Sequence, residues 1–88
     1  MELGGNIVLE GFDKTEPEKL IVIKKIAGSF AKKVGEKEEY KKVILELSEN
    51  YKITINLKLK QREITSENKD QNLFFALTNA IKEVEAQI

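Results

Sequence analysis

From Tyr51 to Lys60 apolar and polar residues alternate without interruption. Tyr51, Ile53, Ile55, Leu57 and Leu59 fall on one side of an extended chain, and Lys52, Thr54, Asn56, Lys58 and Lys60 on the other. Such a segment reads as a strand buried on one face and wet on the other. Val43, Leu45 and Leu47 give a shorter strand before it, and Ser48-Glu49-Asn50 supplies the turn between them. A more polar strand around Arg62 to Ser66 follows, carried by Ile64 and the β-branched Thr65. Near the start, Asn6 to Phe12 holds the β-prone Ile7, Val8 and Leu9, with Gly4-Gly5 read as a flexible lead-in and Gly11 loosening the chain before a polar turn.

Two segments change period. Leu20, Ile23, Ala27, Phe30 and Val34 recur at three and four residues, one stripe of an α-helix with Ile26 and Ala31 at its edges. Thr15-Glu16-Pro17-Glu18 has the spacing of a capping box with proline in the first turn, and Gly35 reads as the C-terminal stop. Glu36 to Glu39 is then a charged connection. Near the end, Leu73, Leu77, Ala80, Ile81, Val84 and Ile88 share a helical face with Phe74 beside them, after a break at Asn68-Lys69-Asp70 with Asp70 or Asn72 as the cap.

The order is β-α-β-β-β-α, without repeat, linker or low-complexity stretch. A crossover helix makes the first strand parallel to a neighbour, and hairpins join the rest. Strands with one apolar face need a cover, which two amphipathic helices provide. The expected architecture is a single α+β domain over residues 1–88: a two-layer sandwich of a four-stranded sheet with two helices on one face. A chain of 88 residues leaves no room for a second core.

Composition narrows the chemistry. There is no cysteine and no histidine, which removes disulfides, thiolate nucleophiles, sulfur-ligated zinc, the usual general base and the commonest metal ligand. Glu38, Glu39, Glu67 and Asp70 show no spacing that implies a catalytic carboxylate pair. Gly4-Gly5 lacks the spacing of a dinucleotide loop and precedes its strand rather than following it. No enzyme, cofactor or metal site is expected. Met1 to Asn6 carries an acid and no base, and Ile7-Val8-Leu9 is too short for a secretory core, so a cytosolic location without a membrane partner follows by default.

Formal net charge is zero, yet the charges are segregated. Between Lys19 and Val34 there are five lysines and no acid; Lys24, Lys25, Lys32 and Lys33 fall away from the apolar stripe and form a basic ridge. Lys52, Lys58 and Lys60, continued by Arg62, form a possible second basic face on the wet side of the sheet. Solvated lysine-rich surface accounts for both in the simplest reading. The functional reading is an anionic partner such as RNA, since lysine meets phosphate as a point charge without sequence preference. Ile21 and Val22 lie on the lysine side of the helix, where they are either scattered exposed aliphatics or a contact surface. Two common RNA-binding devices are missing. Gly28-Ser29-Phe30-Ala31 departs from the Gly-x-x-Gly backbone clamp, and Tyr51, on the apolar side of its strand, leaves the sheet without base-stacking aromatics.

The stretch from Arg62 to Ile81, together with the element order, resembles the hibernation-promoting factor and ribosome-associated inhibitor family. Asn72, Leu73, Phe74, Ala76, Leu77 and Ile81 fill the places of that family's final helix opening after a strand and a short polar turn. The resemblance implies a fold similar to double-stranded RNA-binding domains and occupancy of the small ribosomal subunit through basic residues on the helices. Carried over by position, it makes Lys24, Lys25, Lys32 and Lys33 on the first helix and Lys82 on the second the rRNA-facing residues. This chain departs from the family in its neutral charge and in a second helix with more acid than base. The competing expectation is a protein-interaction or self-assembly module, including a homodimer, using the same fold.

Overall fold

The computed structural model describes residues 1–88. Its elements are β1 (Glu2–Gly4), β2 (Ile7–Glu10), α1 (Pro17–Lys37), β3 (Tyr40–Ser48), β4 (Lys52–Leu59), β5 (Glu63–Lys69) and α2 (Leu73–Glu85), with a 3-10 turn at Glu49–Tyr51. The strands form one sheet in the order β1-β2-β3-β4-β5, in which β2 and β3 are parallel and the other neighbours antiparallel. The α+β class and the two helices agree with the sequence; the strand count does not, being five rather than four.

The added strand comes from the segment read as a flexible lead-in. Gly4, Gly5 and Asn6 all take positive φ, at 84°, 59° and 63°. Glycine and asparagine tolerate this region, and consecutive residues there reverse a chain with the twist that suits a hairpin. Met1 is thereby folded back on Leu9: the Leu9 N–H donates to the Met1 carbonyl at 2.8 Å, and the Met1 amino group donates to the Leu9 carbonyl at 2.8 Å. The Tyr40 hydroxyl ties the turn to the start of β3 by donating to the Gly5 carbonyl at 2.9 Å.

Register places every buried strand residue on one face. Ile7, Val43, Leu57 and Ile64 stand in one row across β2 to β5, and Leu9, Leu45, Ile55 and Ser66 in the next. All are buried, and they join Ile23, Ala27, Phe30, Ala31 and Val34 of α1 and Leu73, Ala76, Leu77, Ala80, Ile81 and Val84 of α2 in one core. Ser66 is the one buried polar side chain, and its hydroxyl donates to the Ala80 carbonyl at 2.8 Å. Helix α1 packs on β2 and β3, and α2 on β4 and β5. Both helices start at the end of the sheet where β2 and β5 finish, so they run in the same direction.

Several local boundaries differ from the sequence reading. Thr15 does not cap α1. Glu16 takes the N-cap place with φ −58° and ψ 138°, the extended conformation imposed on a residue before proline, and Pro17 opens the helix. Gly35 does not end it: the helix runs to Lys37 and stops because Glu38 turns extended, at φ −156°. Tyr51 belongs to the turn before β4, not to the strand, and its φ of 54° points it out of the core. Strand β5 continues through Asn68 and Lys69, and its end is fixed by Asp70, whose carboxylate accepts from the Asn72 N–H at 2.8 Å. Asn72 is the cap of α2, accepting from the Phe74 and Phe75 N–H groups at 2.9 and 3.3 Å.

Two glycines separate the effect of space from that of backbone. A Cβ at Gly11 would overlap the Leu47 carbonyl, and its φ is +80°; a Cβ at Gly28, within α1, would meet nothing. In urea denaturation Gly11→Ala is expected to destabilise by more than about 1 kcal/mol, from overlap added to left-handed strain. Gly28→Ala is expected to stabilise by about 0.5–1 kcal/mol through helix propensity.

Candidate nucleic-acid interface

With one helix face in the core, the other faces water. Lys24, Lys25, Lys32 and Lys33 are all exposed on α1, as is Lys82 on α2. No carboxylate lies within ion-pair distance of any of the five, since the ion pairs of the molecule involve only Lys19, Lys52, Lys60 and Arg62 as cations.

The structure brings three of the five together. The two helices enclose a groove of about 330 Å³, lined by Lys25, Ser29 and Lys33 from α1 and by Thr78, Lys82 and Glu85 from α2, with Ile26, Phe30 and Ile81 completing its walls. Sequence spacing alone did not join Lys82 to Lys25 and Lys33; the parallel alignment of the helices does. Lys24 and Lys32 lie outside the groove. A second concavity prolongs it past Lys33 to Glu36, Lys37 and Ile88. Glu85 is the acid of the groove, so its field is positive and incompletely so. The Thr78 hydroxyl is committed to its own helix, donating to the Phe74 carbonyl at 2.9 Å.

The possible second basic face has a different electrostatic character. Lys52 pairs with Glu67 at 3.2 Å, Lys60 with Glu39 at 3.7 Å, and Arg62 with Glu38 at 3.0 Å. Arg62 also donates through Nε to the same carboxylate at 3.4 Å. These hydrogen bonds, more than Coulombic attraction, hold the Arg62 pKa above its ordinary value. Lys58 is left without a carboxylate within 4.0 Å, and its antiparallel neighbour on β3 is Lys42. Acids from β5 and from the α1–β3 connection thus answer three of its four cations, whereas no helical lysine of the ridge forms an ion pair.

Phe75 adds a feature that sequence reading passed over. It is 60% exposed on the outer side of α2, and Ile21 and Val22 are 57% and 43% exposed on α1. Helical phase held the signal: Phe75 lies about 180° from the centre of the α2 apolar face at 100° per residue. All three belong to the starting halves of their helices, and the lysines lie further along, so the outer layer is apolar toward one end and basic toward the other. A larger concavity, about 1240 Å³, is elsewhere, lined by Gly11, Leu47, Tyr51 and Asp70 among others, and holds none of the helical lysines.

A mixed five-stranded sheet with two parallel helices on one face defines the class of fold. No family model matches the sequence, and no curated protein matches it. Among solved structures the chain is similar to a ribosomal subunit interface protein from Coxiella burnetii, with a TM-score of 0.55 and 13% identity over 92% of this chain and 90% of that one. At that identity the likeness is one of fold.

Because the helical lysines are exposed and unpaired, reversing them should leave the core untouched. Lys25→Glu with Lys33→Glu is expected to change the unfolding free energy by less than about 0.5 kcal/mol per substitution, checked by urea denaturation. A larger loss would make these lysines part of the fold instead of a free surface.

Proposed function

We propose that this protein is a small, non-catalytic RNA-associated protein that acts by occupancy, binding the small ribosomal subunit or rRNA through the outer face of α1 and α2. The observation that carries this reading is the set of lysines without carboxylate partners, three of which line one groove. The fold-level likeness to a ribosomal subunit interface protein supports it, as does the resemblance of the closing helix to the hibernation-factor pattern.

Physically, an α-helical layer rich in lysine binds phosphate through long, flexible stems and point charges, which tolerate variation in backbone path and demand no base readout. The paired face of the sheet contributes less, because Lys52, Lys60 and Arg62 must first surrender a carboxylate. Few contacts imply modest electrostatics. With Lys25, Lys33 and Lys82 as the central contacts, log Kd should change with log salt by a slope of about 2 to 3.

A second reading rests on Ile21, Val22 and Phe75: a protein partner seated on the apolar part of the helical layer, with no RNA. One experiment separates the two. Purified protein is co-sedimented with small ribosomal subunits at low and at physiological salt. Pelleting that survives physiological salt, is lost in Lys25→Glu/Lys33→Glu, weakens in Lys24→Glu/Lys32→Glu and persists in Lys60→Glu is the expected result. Absence of pelleting at low salt would overturn the ribosome reading, and loss in Ile21→Ser/Val22→Ser alone would favour the protein partner.

A further inference from the structure

The sheet ends in two unlike edges. On one side β1 spans only three residues and its pairing with β2 shifts register between Glu2 and Gly4, which blunts that edge against further pairing. On the other side β5 is seven residues long and without a bulge in its pairing to β4. The Leu59 N–H donates to the Arg62 carbonyl at 2.8 Å, and with the register of the hairpin this directs the backbone groups of Ile64, Ser66 and Asn68 toward β4. Those of Glu63, Thr65, Glu67 and Lys69 therefore point off the edge.

The residues along this edge are complementary to themselves. In an antiparallel pair centred on Ser66, Glu63 stands opposite Lys69 of a second chain, Thr65 opposite its Glu67, and Ser66 opposite its Ser66, with both faces of the sheet preserved. The residues with outward backbone groups are then the ones that meet, so the hydrogen-bonding pattern and the charge pattern select the same register. Neither Glu63 nor Lys69 has a partner within 4.0 Å in the chain, although Glu63 stands opposite Lys58 on β4. Lys69 is worse than unpaired, since its neighbour on β4 is Lys52, and directly opposed like charges destabilise a sheet. Glu67 already answers Lys52 at 3.2 Å, and Glu63 of a second chain would supply the acid that Lys69 lacks. Edges are blunted by proline, bulges or charged side chains; β5 has no proline and no bulge, and its charges, Glu63, Glu67 and Lys69, are of both signs, so an antiparallel copy can answer them.

We infer that β5 is a self-association edge, and that its occupant is β5 of a second copy of this chain, joined antiparallel about Ser66 into a continuous sheet. The assembly buries no helical lysine and needs no nucleic acid, so it stands or falls independently of the ribosome reading.

The test is the molar mass of the full chain, by light scattering and sedimentation equilibrium without nucleic acid. The wild type should pass from monomer to dimer as concentration rises. Glu63→Lys and Lys69→Glu should each weaken the dimer about tenfold, because each reversal strikes both symmetric pairs, and the double variant Glu63→Lys/Lys69→Glu should restore it. Thr65→Pro removes an outward N–H while leaving the bonds to β4, and should abolish dimerisation, with circular dichroism as the check that the monomer is folded. A wild type that stays monomeric to about 1 mM overturns the inference, as does a dimer indifferent to the single reversals, or one that the double variant fails to rescue.

Discussion

The structure depends on the parity of one register. Side chains along a strand alternate between faces, so a sheet of four long strands has an apolar face only if every pairing is in phase. Here the parallel pairing of Ile7 with Val43 and the antiparallel pairings of Val43 with Leu57 and Leu57 with Ile64 are in phase, and a one-residue slip in any of them would turn the buried residues of a strand to water. The parallel step is the demanding one. It needs a crossover, and α1, 21 residues and roughly 31 Å long, returns the chain along the full length of the sheet. Because that helix must also cover the apolar face, its buried side is fixed by the core and its outer side is left to water. The lysine ridge is a consequence of that division.

What the sequence disclosed follows from the same alternation. Ile53, Ile55, Leu57 and Leu59 announced β4, and the stripes of both helices announced the cover, because burial on one side leaves a period in the chain. The misreadings lie where structure is held by something without a period. Strand β1 exists because three positive-φ residues reverse the chain, not because Glu2-Leu3-Gly4 alternates. Strand β5 runs on through Asn68 and Lys69 because an edge strand needs only its partner's hydrogen bonds and one lightly buried face. Thr15 lost the cap to Glu16 through the steric demand of Pro17 on its neighbour. Of the candidate interface, each lysine was legible by helical phase. Its grouping was not, since the approach of Lys82 to Lys25 and Lys33 depends on how two helices align on a sheet.

Net neutrality has a structural meaning in this molecule. Equal numbers of acids and bases would cancel if they were mixed, but Glu38, Glu39 and Glu67 are placed against Arg62, Lys60 and Lys52, and Lys24, Lys25, Lys32, Lys33 and Lys82 are left without ion pairs. Exposed pairs of this kind add little stability. Their larger effect is on the field, because they damp the positive potential of the sheet face more than that of the groove, where Glu85 is the one acid beside three lysines. Beyond a Debye length of about 8 Å at physiological salt the whole protein is nearly neutral, so long-range steering is weak and contact must be made by the groove itself.

That limit gives the β5 edge a bearing on function. A two-fold axis that preserves both faces of the sheet is perpendicular to it, so in a pair of chains joined through β5 all four helices lie on one side and both lysine grooves face the same way. A surface that is weak when single becomes two linked surfaces, and the second contact forms at an effective concentration set by the rigid spacing of the sheet instead of by diffusion. For a groove of three lysines and one acid, doubling the contact through backbone pairing raises affinity without adding net charge. It also concentrates the gain on extended polyanions able to span both grooves, and leaves short ones bound as weakly as by a single chain. An edge left open and self-complementary on a neutral domain is therefore consistent with an occupancy function in which selectivity comes from the reach of the target, not from the bases it contains.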